Sequence, residues 1–245
     1  FKQKTAYEIR LSLVGSEMCI RDRPFAGHPT LGTAWVLRHC VASERPAAVN
    51  LQLAVGPTPV RFVDDDRGDL GWFAAPYPAF GRVFAPEPFA DLLGLAPGDI
   101  AAEFPVVEVA LGVSFTFVPI ATVAALSRAR FRSDRYETLQ HMDFPACLFL
   151  FCRDVDGVDH DMRARMFATP FGIMEDPATG SANAFLAAYL LRYEERKRPA
   201  LALSVAQGVE MGRPSLLRLA AERHGDEARI EVGGRVLLSV RGELV

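Results

Sequence analysis

The chain is poor in cysteine, in tryptophan and in positive charge. Its 245 residues hold four cysteines and two tryptophans, and 30 Asp and Glu outweigh 27 Lys and Arg to give a formal net charge of −3. Cys19, Cys40, Cys147 and Cys152 make no CxxC pair and have no histidine at zinc-ligand spacing, so no metal site is expected. Nothing resembles a disulfide framework, which points to a reducing, cytoplasmic setting. No basic run carries interleaved aromatics, and the acidic balance opposes attraction to phosphate backbones, so nucleic acid is excluded as a partner. The longest mostly apolar run, Val109 to Leu126, is interrupted by Gly112, Ser114, Thr116, Pro119 and Thr122. It reads as a strand, a turn and a helix, and no membrane span is expected. No GxGxxG follows a strand and no lysine sits where pyridoxal chemistry would need it; no cofactor is expected.

What the chain does have is a repeat. HPTLGTA at His28 to Ala34 is echoed by DPATGSA at Asp176 to Ala182, with Pro29 matching Pro177, Gly32 matching Gly180 and Ala34 matching Ala182. A polar residue, then proline, then a small-residue turn entering an apolar stretch is how a helix start reads, since proline has no amide hydrogen to lose there. The repeat predicts two related domains, each presenting a helix N-terminus. Such an end offers amide hydrogens without intrahelical acceptors and the positive end of the backbone dipole. It can hold a carboxylate without a basic side chain. A titratable group stands at the start of each motif, His28 in one and Asp176 in the other, and proton transfer needs groups placed in that way. Two such ends facing one cleft would grip a small acid.

Hydrophobic residues make up 50% of the chain, enough for real cores. After a first helix ending near Arg38 to Cys40, VNLQLAV, PVRFVDD and LGWFAA read as an antiparallel meander joined by turn residues. PEPFADLLGLAPGDI reads as a short helix closed by Gly94, PVVEVALGVSFTFVPI as two strands, and Thr122 to Arg130 as a helix. ACLFLFC and MRARMFAT are strands that deliver the chain to the second motif. Ala182 to Tyr193, apolar at nearly every turn, is a helix buried on most of its surface. LALSVAQG, PSLLRLAAE, ARIEVGG and RVLLSVRGELV complete the strands. Each half is thus expected to be strands around one buried helix, an α+β plan.

The first 23 residues differ abruptly in character from the chain beyond Pro24. They lack the apolar core and cleavage site of a secretory signal and resemble the translation of sequencing-adapter DNA, so 1–23 is expected to be non-native.

PFAGHPTLGTA, RMFATPFGIMEDPATGSANAFLAAYL and QGVEMGRPS, in this order, resemble the markers of the PhzF family, phenazine-biosynthesis isomerase-like proteins of the diaminopimelate epimerase fold. The resemblance covers Pro24 to Val245. It implies two pseudo-symmetric domains, each an antiparallel sheet rolled around a central helix, at 24–110 and 111–245, with a C-terminal strand at about 235–245 returning to the first. It also implies a cofactor-independent proton shift on a small carboxylic acid, and a homodimer. Residue by residue, Asp176, His28 and Ser181 match the family's catalytic positions, and Gly27, Gly180 and Ser181 would bind the substrate carboxylate. The family's principal acid/base glutamate lies upstream of GHPT and has no matching context here; neither Glu8 nor Glu17 takes its role, and the chain is expected to be impaired by its loss.

Two other readings compete. A thiol-based racemase of the same architecture would carry a cysteine at each helix start, where this sequence has His28 and Asp176. A non-catalytic module would keep the fold to hold an organic acid, and it is distinguished by binding without proton exchange.

Overall fold

The computed structural model describes residues 27–53, 55–65, 68–153, 159–193, 199–225 and 227–242. The stretch 1–23, expected to be non-native, lies outside them. The described residues form two compact units, the first containing those from Gly27 up to Ala74 together with those from Gly233 to Gly242, the second those within Ala75–Val232.

In the first unit, helix α1 (His28–Val36) passes into a wider π turn, Leu37–Val41, and is followed by β1 (Ala48–Leu53), β2 (Gly56–Asp65) and β3 (Gly68–Ala75). The three strands pair antiparallel in sequence order, as the turn residues between them predict. Leu31 and Ala34, three positions apart on one face of α1, are buried. Gly71 permits this closeness, because a Cβ there would lie 2.9 Å from Leu31 Cδ2.

The end of α1 is tied to β3 by charge. Arg38, 5% exposed, donates to Asp69 Oδ2 through Nε at 3.0 Å and to Oδ1 through Nη2 at 3.4 Å, and it also reaches the Pro46 carbonyl. His39 Nε2 contacts the same Asp69 Oδ2 while its ring stacks on Trp35 with centroids 4.4 Å apart. The guanidinium beside Asp69 holds that carboxyl well below the ordinary range.

The second unit comprises β4 (Ala79–Phe84), α2 (Glu87–Leu92), β5 (Val106–Leu111), β6 (Val113–Pro119), α3 (Val123–Arg128), α4 (Ser133–Leu139), β7 (Leu148–Cys152), β8 (Met162–Ala168), β9 (Ile173–Asp176), α5 (Gly180–Tyr193), β10 (Ala200–Gln207), β11 (Ser215–His224) and most of β12 (Glu227–Gly234). The strands run in the order β12-β11-β10-β8-β7-β6-β5-β4, with β9 added on β8. Most neighbours are antiparallel, but β6 with β7 and β8 with β10 are parallel. Parallel pairs need a long crossover, and here α3 and α4 lie between β6 and β7 while α5 lies between β8 and β10.

β7 shows how the core is divided. Leu148, Leu150 and Cys152 join Phe89 and Leu92 of α2 and Leu126 of α3 in one buried cluster. Phe149 and Phe151 turn to the other face, where Phe117 and Phe151 surround Tyr189 of α5 with ring centroids at 5.6 and 5.1 Å. A strand buried on both faces needs apolar residues at both parities, which is why ACLFLFC shows no alternation. Eleven residues of α5, from Gly180 and then Ala182 through Leu191, are buried. Phe185 packs edge-on to Phe115 of β6, and the Tyr189 hydroxyl donates to the Pro105 carbonyl at 2.7 Å. With β10 and β11 also against it, α5 is the central helix the sequence predicts.

Four features differ from the sequence reading. β4 has two residues facing partly inward and a register shift between Phe80 and Val83, so it carries no alternation to read. Ser133–Leu139 is helical although none of its residues is fully buried. RVLLSVRGELV, expected as a strand, has no regular structure over 235–242, and Leu237, Leu238 and Val240 are exposed; among the described residues no strand supplies it with a ladder. The division between units falls after Ala74 instead of 110, because β4 and β5 pair with each other and β5 with β6.

Candidate active site

The two motifs occupy different units. Gly27 and His28 open α1 in the first: the Gly27 carbonyl accepts from the amides of Thr30 and Leu31 at 3.2 and 3.4 Å, Pro29 sits in the first turn, and His28 is exposed. Asp176, Gly180 and Ser181 lie together in the second. Their arrangement differs from α1 in one respect. Asp176 is the last residue of β9, not the first of a helix, and α5 begins four residues later at Gly180.

The delay has a side-chain cause. The buried Gln207, at the end of β10, reaches into the turn, accepting from the Thr179 amide at 3.1 Å and donating to the Asp176 carbonyl at 2.7 Å. It thereby holds Asp176 to Thr179 as a turn and keeps them out of the helix. The Thr179 carbonyl then accepts the first helical bond, from the Asn183 amide at 3.0 Å, which makes Thr179 the N-cap. Its hydroxyl donates to Asp176 Oδ2 at 2.6 Å. Asn183, fully buried, completes the set through Nδ2, which donates to the Thr179 carbonyl at 3.0 Å and to Gln207 Oε1 at 2.8 Å.

Gly208 closes the arrangement from behind. It has φ +77°, and a Cβ there would stand 2.4 Å from the Arg213 carbonyl oxygen and 3.0 Å from Pro177 Cα, so only glycine fits beneath the Asp-Pro turn.

Glu175, next to Asp176, is held by Arg165 of β8. Arg165 is 3% exposed; its Nε and Nη2 donate to the two carboxylate oxygens at 2.9 and 2.8 Å, and Nη1 donates to the Leu126 and Ala129 carbonyls at 2.9 Å each. One side chain thus caps the C-terminal end of α3 and fixes the strand that carries Asp176. Arg163, on the same face two residues earlier, pairs with Glu210 in the loop after Gln207, and Glu210 also accepts from the Ser127 hydroxyl at 3.0 Å.

Chemically, this leaves a half-exposed carboxylate at Asp176 beside the first amides of α5, those of Gly180 and Ser181, which a helix cannot satisfy internally. Such a pairing can exchange a proton and hold an anion. Among the described residues no group of three or more His, Cys, Asp or Glu is placed to hold a metal ion, and no helix is long and apolar enough to cross a membrane. Sequence reasoning did not assign Thr179, Asn183, Gln207 or Arg165. Asn183 within the apolar run from Ala182 to Leu191, and Arg165 within MRARMFA, were the available signals, since a polar residue in a buried element needs partners.

The family model described as phenazine biosynthesis-like protein, PhzC-PhzF, matches residues 7–242 and so takes in most of the stretch set apart at 1–23. The chain is 31% identical over 218 residues to the trans-2,3-dihydro-3-hydroxyanthranilate isomerase of Pseudomonas aeruginosa, covering 88% of this chain and 72% of that protein. It is 29% identical over 230 residues to an uncharacterized isomerase of Mesorhizobium japonicum, covering 91% and 76%. Among solved structures, a PhzF-family phenazine biosynthesis protein of Bacillus anthracis superposes with a TM-score of 0.76 at 23% identity, covering 86% of this chain and 73% of that one. A Pseudomonas aeruginosa structure described as a predicted epimerase gives 0.70 at 32% identity, covering 91% and 75%.

Proposed function

This chain belongs to the PhzC-PhzF family of phenazine biosynthesis-like proteins, and from that premise we propose that it is an isomerase that moves a proton on a small carboxylic acid without a cofactor, with Asp176 exchanging the proton. The curated relatives at about 30% identity are isomerases, which supports the reaction class. The observation that carries the reading is the fixing of the Asp176 carboxylate by Thr179, at the end of β9 and just before the N-terminus of α5.

The groups this sequence supplies take the following parts, with no counterpart among them for the family's upstream glutamate. Asp176 takes a proton from substrate carbon or returns one to it. The amides of Gly180 and Ser181, with the Ser181 hydroxyl, receive the substrate carboxylate, using the backbone dipole in place of a basic side chain. The carboxylic acid is the favoured substrate class because no lysine or arginine is needed to hold it at a helix start.

The test is turnover. Trans-2,3-dihydro-3-hydroxyanthranilate, the compound named for the relatives, and a panel of small unsaturated carboxylic acids are incubated with the protein produced from its own gene and followed by NMR. Isomer formation that Asp176→Asn reduces about 10²–10⁴-fold supports the reading. Binding of an acid with no isomer from any of them favours a non-catalytic binding module.

A further inference from the structure

The contacts around Asp176 fix where hydrogens must lie. The Thr179 backbone amide can only donate and it faces one end of the Gln207 side chain at 3.1 Å, so that end is the carbonyl oxygen. The Asp176 carbonyl can only accept and it faces the other end at 2.7 Å, so that end is the NH₂. The orientation of Gln207 is therefore set by two obligate partners and not by the choice of amide flip. Its NH₂ has two hydrogens and two acceptors in reach, the Asp176 carbonyl and the Thr179 hydroxyl oxygen at 2.9 Å.

The Thr179 hydroxyl thus receives a hydrogen from Gln207 and has one of its own to give. Asp176 Oδ2, at 2.6 Å, is where that hydrogen goes. A carboxyl O–H oxygen is a weaker acceptor than its carbonyl partner, so this bond favours the acidic proton on Oδ1 over Oδ2.

We propose that Gln207 is a positioning residue that, through Thr179, keeps Asp176 Oδ2 an acceptor, so that Asp176 exchanges protons preferentially through Oδ1. Proton exchange at Asp176 rests on the reading given above; the orientation of the Thr179 hydroxyl does not. The device favours one oxygen for the reactive proton and hence one direction relative to α5. Gln207 and Asn183 are fully buried and Thr179 is 6% exposed, so water does not compete for these bonds.

The test reads the hydrogen bond separately from catalysis. With aspartate carboxyl carbons labelled, the Asp176 ¹³Cγ resonance is recorded in an equal mixture of H₂O and D₂O. Isotope splitting from the slowly exchanging Thr179 hydroxyl is expected in the unaltered protein and in Thr179→Ser, and is expected to vanish in Thr179→Val. Gln207→Glu keeps the acceptor facing the Thr179 amide but removes the donor, freeing the hydroxyl to turn away, so the splitting should vanish there as well. Gln207→Met, uncharged and close in size, gives the same comparison if the buried carboxylate prevents folding. Turnover should fall about 10–100-fold in either Gln207 variant with KM little changed, since the carboxylate is misdirected and not removed. Splitting that persists in a folded Gln207 variant overturns the inference. Splitting that behaves as expected while Asp176→Asn leaves turnover intact preserves the orientation and rejects the role given to Asp176.

Discussion

Arg165 grips Glu175 through two parallel bonds of 2.9 and 2.8 Å, immediately before Asp176 in the chain. Its third nitrogen serves the end of α3 instead of more carboxylate. Arg165→Met strips Glu175 of its counter-charge in a place where both partners are nearly excluded from water, and should lower stability by about 3–5 kcal/mol in urea unfolding. Glu175→Gln should cost less, because the carbonyls of Leu126 and Ala129 still hold the guanidinium. Equal losses in the two variants would show that the carbonyl contacts add nothing.

Gly208→Ala introduces a Cβ where the backbone has φ +77° and the Arg213 carbonyl oxygen is 2.4 Å away. Strain of about 1–3 kcal/mol is expected from the backbone conformation, with the clash pushing against Pro177. Thermal unfolding should shift down, and the Asp176 ¹³Cγ resonance should move, since Pro177 is bonded directly to Asp176. A variant with an unchanged melting temperature would contradict the packing described for this turn.

The Arg38–Asp69 pair gives the first unit a dependence on pH. Asp69 has a folded-state pKa below its unfolded value, chiefly because Arg38 donates to it, so its contribution is complete above the ordinary carboxylate value and is lost as pH falls through the lowered one. Asp69→Asn should be less stable near neutrality by about 3 kcal/mol, because it leaves the buried Arg38 with only the exposed Asp64 carboxylate, 3.7 Å away, as counter-charge. The gap between the variant and the parent should narrow below about pH 4. Unfolding curves at a series of pH values check this, and a gap that widens in acid would reverse the sign of the argument.

Much of the fold was legible because it depends on local pattern. The meander β1 to β3 is announced by GPTP and DDRGD, and α5 by an apolar run too long for a strand. The helix reads from Ala182, close to its actual start at Gly180, but Asp-Pro reads as the opening of that helix whereas Asp176 ends a strand. The strand pairing of Asp176 with Met166, and the grip of Gln207 on the turn, are contacts between distant parts of the chain that no local pattern encodes. The same holds for 235–242, where alternation of apolar residues predicts a strand but the described residues supply no partner for it. Asp176, Gly180 and Ser181 were visible as a motif. Thr179, Gln207 and Arg165 lie inside the quoted motifs, but no role followed from them there, since their importance lies in what they touch.

The proposed reaction passes a proton between Asp176 and a small acid, and solvent deuterium incorporation measures that directly. A substrate turned over in D₂O by the protein produced from its own gene should acquire deuterium at the carbon where the proton is delivered, and Asp176→Asn should slow that incorporation about 10²–10⁴-fold while still binding the acid. Deuterium incorporation that proceeds at the parent rate in Asp176→Asn would contradict it.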